Sequence, residues 1–138
     1  AGQLYCAFKV AEGWQLAQIK PNSQDIIPLP CTLTNLARWK IIKEDLNGRI
    51  WIADWNTLRY YDPKTQYCAE VQLLDSAGKS LSIQIIDILL DRQDRLWLGS
   101  PQKGLFQISN ASQIEAMDRI SYKNFQHFDQ IPNPISSS

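Results

Sequence analysis

His127 is the only histidine in the chain, so any Ser-His-Asp chemistry would have to run through it. It sits between Phe125 and Phe128 in what reads as a strand, and no GxSxG elbow supplies a nucleophile. Glu44-Asp45 and Asp91 with Asp94 are paired carboxylates, the side chains that general acid–base catalysis uses. Both pairs lie in turn-like sequence, where an Asp carboxylate accepts backbone N–H groups, and this structural role is the expectation for Asp45 and Asp91. No Gly-rich phosphate loop is present. Cys6, Cys31 and Cys68 form no CxxC pair and lack zinc-site spacing. One disulfide with one thiol left over is open to them. Burial as free thiols on strands is the favoured reading, since Cys packs as a small core residue. No cofactor and no metal is expected. Asn110-Ala111-Ser112 fits a glycosylation sequon, a motif common by chance and given no weight.

Composition narrows the partners. Fourteen basic residues balance fourteen acidic ones in 138 residues, and phosphate binding usually needs a basic excess, so nucleic acid is not expected. The longest apolar cluster, residues 85–90, is broken by Asp87 and falls far short of the roughly 20 residues of a membrane span, so this segment is expected to make no membrane contact itself. The chain opens at Ala1-Gly2-Gln3 without a Met or a signal-peptide pattern, which reads as a trimmed or excised segment.

The elements that would position these side chains emerge from an internal repeat. Residues 42–53 align with residues 88–99 at a constant offset of 46: in both an Asp stands six before a Trp, with Arg two before it and an aliphatic on either side. Leu58-Arg59-Tyr60-Tyr61 then matches Leu105-Phe106-Gln107-Ile108 at an offset of 47. Short aromatic and β-branched runs follow Asp-Leu-Asn-Gly and Asp-Arg-Gln-Asp turns, a hairpin signal, and Asp62-Pro63-Lys64-Thr65 is a further turn. The expectation is an all-β chain of four-stranded antiparallel propeller blades, about two and a half of them. One blade spans 39–83, with strands at 39–44, 49–53, 57–61 and 67–73. The next spans 84–130, with strands at 84–90, 95–99, 104–108 and 120–128. Strands at 3–9 and 14–20 are read as the outer half of a preceding blade, residues 3–8 matching a third strand. Residues 21–38, with three prolines, are read as an irregular connection, residues 110–117 as a short helix or loop insertion, and 131–138 as a flexible tail. Trp51 and Trp97 are expected to pack between blades, with Asp45 and Asp91 holding the turns.

The aliphatic-x-x-Asp, then Leu-Trp-Ile-Gly, then Gly-Leu-Tyr/Phe pattern stands here as Ile42, Asp45, Gly48, 50–53 and Leu58, and as Ile88, Asp91, 96–99 and 104–106. It resembles the two-component regulator propeller repeat, and residues 125–132 are similar to that family's inter-blade phrase. Ala53 and Asp94 depart from its glycines. The resemblance implies a periplasmic or extracellular sensor portion of a bacterial membrane receptor whose ligands are often glycans.

Without a catalytic constellation, surface recognition is the expected role. Ligands of such folds favour the end built from the loops joining second and third strands and the loops joining blades. Here that end holds Trp55, Asn56 and Thr57 in one loop and Ser100, Pro101, Gln102 and Lys103 in another, with the junctions at 32–38 and 75–82. Trp55 departs from the repeat; its indole either stacks on a ligand or packs over the neighbouring blade. The expected partners are a glycan or other small molecule and, because two and a half blades leave open edges, the remaining blades of a propeller or further copies of the chain. The alternative function is a protein–protein scaffold with no small ligand; an enzyme is disfavoured.

Overall fold

The computed structural model describes residues 4–34, 40–75, 77–115, 120 and 122–126. The chain is all-β, with strands in three antiparallel sheets. Sheet 1 holds β1 (Leu4–Val10), β2 (Gly13–Ile19) and β3 (Ile26–Leu33). Sheet 2 holds β4 (Lys40–Glu44), β5 (Ile50–Asp54), β6 (Leu58–Asp62) and β7 (Tyr67–Val71), and sheet 3 holds β8 (Asp87–Leu90), β9 (Leu96–Ser100), β10 (Gly104–Ile108) and β11 (Lys123–Phe125). Each is a meander in which consecutive strands pair. The strand expected at 120–128 narrows to β11, with 121, 127 and 128 outside the described residues, as are His127 and the tail at 131–138.

Sheet 1 corrects the sequence reading. The connection expected across 21–38 contains a full strand, β3. Its burial alternates strictly: Ile27, Leu29, Cys31 and Leu33 face inward, while Ile26, Pro28, Pro30 and Thr32 face out. The prolines are tolerated because β3 is an edge strand, where an N–H directed away from the sheet has no ladder bond to lose. A register shift between Gln15 and Ala17 eases the pairing, and the Gln15 side-chain amide donates to the Leu29 carbonyl across it. Nor does β1 match a third strand. Tyr5 and Ala7 face sheet 2 as Trp51 and Ala53 face sheet 3, so β1 takes the second-strand position and β3 the fourth.

The sheets stack face to face. One face of sheet 2 (Ile50, Ile52, Tyr61) packs on Leu16, Cys31 and Leu33 of sheet 1. Its other face (Trp51, Ala53, Leu58, Tyr60) packs on Ile88, Leu96, Leu98 and Phe106 of sheet 3. A strand that is covered on both faces reads as a continuous apolar run, and β5 is buried along its whole length. Cys31 and Cys68 form a disulfide between β3 and β7 and Cys6 is the thiol left over, so the one-disulfide alternative, and not three buried free thiols, is the arrangement found. The two cysteines are 37 residues apart in sequence but face each other across the seam of sheets 1 and 2, a proximity set by sheet stacking.

The Asp-to-Trp register of the repeat has a direct physical cause. Asp45 accepts the Asn47 and Arg49 backbone N–H groups at 2.9 and 3.0 Å with one oxygen, and the Trp51 indole N–H at 3.1 Å with the other. Asp91 does the same with Gln93, Arg95 and the Trp97 indole at 2.9, 3.0 and 2.9 Å. One carboxylate thus closes the turn and satisfies an indole donor on the following strand. Gly48 closes the first turn at φ 85°, in the left-handed region; Asp94 does so in the second at φ 59°. Asp75 repeats the turn, accepting the Ala77 and Lys79 N–H groups at 2.9 and 3.0 Å, a third copy not apparent from the Trp register.

Residues 110–117 were expected to hold a short helix or insertion, and a 3₁₀ turn forms at Ala111–Gln113. Asp94 anchors it: its carboxylate accepts the Ser112 N–H and hydroxyl, the latter at 2.7 Å, and its carbonyl accepts the Ala111 N–H. The Asn47 side chain donates to the Ser112 hydroxyl at 2.6 Å, and Arg49 donates to the Ala111 and Ile114 carbonyls at 3.2 and 2.6 Å. The departure of Asp94 from glycine therefore exchanges a relaxed turn for a clasp between sheets 2 and 3.

Candidate functional site

The β5–β6 and β9–β10 loops lie at one end of the stack, together with the junction between sheets 2 and 3. In the first loop Asp54, wholly buried, accepts the Asn56 N–H, the Thr57 N–H and the Thr57 hydroxyl at 3.0, 2.6 and 2.7 Å. The loop is therefore held rigid from within. The Trp55 carbonyl accepts the Ile85 N–H at 3.1 Å, pinning the loop to the sheet 2–sheet 3 junction, while 41% of the residue remains exposed. With 41% of the residue exposed and the rest covered, both roles stand for Trp55: packing over the neighbouring sheet and stacking on a ligand.

Ser100 stands in the second loop where Asp54 stands in the first, and its hydroxyl accepts the Lys103 N–H at 3.3 Å. The Lys103 ammonium donates to the Ser82 carbonyl at 2.6 Å, and the Lys103 carbonyl accepts from the Asn124 amide at 2.8 Å. Lys103 thus ties its loop to the preceding junction. Gln102 is exposed.

Between these features a cavity of about 200 Å³ opens at the seam of sheets 2 and 3. Asn56 and Thr57 line it, as do Glu70, Gln72, Ser80 and Ser82. Its floor is apolar, formed by Leu58, Val71, Ile83, Ile85 and Leu98. Among the described residues Glu70 is the one charged residue in the lining, and its side chain, on the same face of sheet 2 as Arg59 and Ile52, pairs with the largely buried Arg59 at 3.6 Å. The structure therefore brings Asn56 and Thr57 to a common cavity; Gln102 and Lys103 are not among its lining residues. Sequence reasoning missed Glu70 and Gln72, although their outward alternation with Val71 on the fourth strand carried the signal. Ser80 and Ser82 fall inside the junction expected at 75–82; most of the other junction, 35–38, lies outside the described residues.

A second cluster lies at the sheet 1–sheet 2 seam. The Lys40 ammonium sits 3.4 Å from the centroid of the Trp14 ring. Burial lowers the pKa of Lys40, and the nearby negative charge of Asp54 opposes that shift. At the opposite end, burial alone would raise Asp91, but the Trp97 indole, the Arg95 N–H and guanidinium and the Gln93 N–H outweigh it and hold the carboxyl at about 2. Asp45, Asp91, Trp51 and Trp97 therefore stand in the scaffold, away from the cavity. Among the described residues no three His, Cys, Asp or Glu side chains gather as a metal site, and no helix is long and apolar enough to cross a membrane.

Comparisons with protein-family models, curated proteins and solved structures returned no match.

Proposed function

We propose that the chain is a non-catalytic ligand-sensing segment of a β-propeller whose four-stranded sheets are its blades, and that it recognises a small neutral, hydroxyl-bearing molecule such as a glycan unit at the cavity between sheets 2 and 3. The observation that carries this reading is the make-up of that cavity: amide- and hydroxyl-bearing residues in the lining, an apolar floor, and a rigid loop whose exposed Trp55 adjoins the lining residue Asn56. Side-chain amides and hydroxyls match sugar hydroxyls in hydrogen bonding, and an indole face matches the C–H face of a sugar ring. A lining with Glu70 and, among the described residues, no cation disfavours anions. Placement in an extracytoplasmic receptor of a two-component system is supported by the repeat resemblance.

The test is a titration of the chain against a glycan panel, followed by tryptophan fluorescence, beside a partner pulldown. Trp55→Ala and Asn56→Ala should each weaken glycan binding at least tenfold while leaving the thermal melt unchanged. Loss of protein capture alone would favour the scaffold reading. If the wild-type chain binds neither glycans nor proteins, the assignment fails.

A further inference from the structure

The wall of the cavity hangs on a buried charge. Asp54 is wholly shielded from solvent, and the three bonds that hold Asn56 and Thr57 all fall on one of its oxygens. A carboxylate keeps its charge away from water at tolerable cost only beside a countercharge. Lys40 stands directly opposite Asp54 in the β4–β5 ladder, in line with Ile42 and Ile52 on the face of sheet 2 that packs against sheet 1. The Asp54 charge reaches it and favours its ammonium form. Across the seam Trp14 of β2 lies over that ammonium, 3.4 Å from ring centroid to nitrogen, with the Lys9 ammonium farther off at 5.8 Å. The indole face supplies part of the stabilisation that water would give the cation and fixes where it points. The repeat holds an internal control. At the offset of 46, Lys40 and Asp54 become Ile86 and Ser100 in sheet 3, charge and countercharge exchanged together. There the loop is tied by a different lysine, Lys103, which donates to the Ser82 carbonyl at 2.6 Å.

We propose that Lys40, seated on Trp14, is the positioning residue of the candidate site: its ammonium holds the Asp54 carboxylate, and through it the Asn56 and Thr57 wall, so that sheet 1 sets the shape of a cavity between sheets 2 and 3. Neither Lys40 nor Trp14 is among the residues that line that cavity. Without the ammonium, the Asp54 carboxylate is a buried charge that regains water only by turning out of the seam. The Asn56 and Thr57 N–H groups and the Thr57 hydroxyl then lose their acceptor, and the loop that carries them loosens. A wall already ordered binds a hydroxyl-bearing molecule without the entropy cost of ordering it at each encounter. The effect of Lys40 on affinity rests on the reading of the cavity as a glycan site. Its effect on the loop does not, and the two are measured separately.

Amide hydrogen exchange at Asn56 and Thr57 reads the loop without a ligand. The Asn47 and Arg49 amides, bonded to Asp45 at the other end of sheet 2, are the reference. Lys40→Met keeps the apolar stem and removes the charge. It should speed exchange at Asn56 and Thr57 about tenfold and leave the reference amides unchanged, and Lys40→Arg should restore slow exchange. Trp14→Leu should move the same two amides in the same direction. In a titration with neutral oligosaccharides, Lys40→Met should weaken binding about tenfold. Lys40→Ile combined with Asp54→Ser, the pair that sheet 3 carries, should lower the thermal midpoint by less than the sum of the two single changes. Unchanged exchange at Asn56 and Thr57 in Lys40→Met overturns the proposal. An equal rise at Asn47 and Arg49 overturns it too, because Lys40 would then support sheet 2 as a whole, and so does strict additivity in the double variant. A wild-type chain that binds no oligosaccharide sinks the glycan reading alone, and exchange still decides the role of Lys40.

Discussion

Replacing Asp91 with Asn isolates the value of the carboxylate that gives the repeat its register. The folded carboxyl sits at about 2 against an ordinary 3.8. At about 1.36 kcal/mol per unit that difference corresponds to roughly 2 kcal/mol. The side chain is 20% exposed, and solvent screening reduces the expected contribution to about 1–2 kcal/mol. Because the folded pKa is depressed, this stabilisation is fully present above the unfolded value near 4 and is lost as pH falls toward 2. The amide of the Asp91→Asn variant does not titrate, and its NH₂ group opposes either the Trp97 indole and Arg95 guanidinium together or, flipped, the Gln93 and Arg95 backbone N–H groups. Urea unfolding followed by tryptophan fluorescence should therefore show wild type exceeding Asp91→Asn by about 1–2 kcal/mol at pH 7, the gap closing between about pH 4 and pH 2. Every other carboxylate is common to both proteins and cancels in the difference. A gap that is constant with pH, or below about 0.3 kcal/mol at pH 7, would refute the claim that the charge on Asp91, and not its shape, holds the turn.

Asp45→Ala should cost more than Asp91→Ala, about 3 against about 1–2 kcal/mol by urea denaturation. Trp51 is wholly buried, so its indole N–H loses its partner beyond the reach of water, whereas half-buried Trp97 can be rehydrated. Opening the Cys31–Cys68 disulfide, by Cys31→Ser with Cys68→Ser, should lower stability by up to ~4 kcal/mol on the chain-entropy estimate for a loop of this length, seen as a lower urea midpoint that reductant no longer shifts. Gly104→Ala should destabilise by about 2 kcal/mol or more in a thermal melt: its φ is 83°, and an added Cβ would collide with the Phe125 carbonyl of the neighbouring strand.

The sequence by itself determined the local order. Asp six before Trp, turns ending in Gly48 or Asp94, and aliphatics flanking each Trp dictate hairpins, because one carboxylate can satisfy a turn and an indole only at that spacing. The strands of sheets 2 and 3 were legible for this reason. β3 was legible too, in the alternation of Ile27, Leu29, Cys31 and Leu33, but its prolines read as a loop until an edge position was known to excuse them. Only the tertiary structure decided what depends on which sheet faces which. The pairing of Cys31 with Cys68 needs sheets 1 and 2 in register. Arg49, buried under the 111–114 carbonyls, and Arg95, left more open on Trp97, are the same residue in the repeat and differ because a neighbour covers only one of them. The cavity follows the same logic: Asn56 and Thr57 were foreseen from their loop, but the Glu70, Gln72 and Ser80 that complete it come together across a seam that no local pattern encodes.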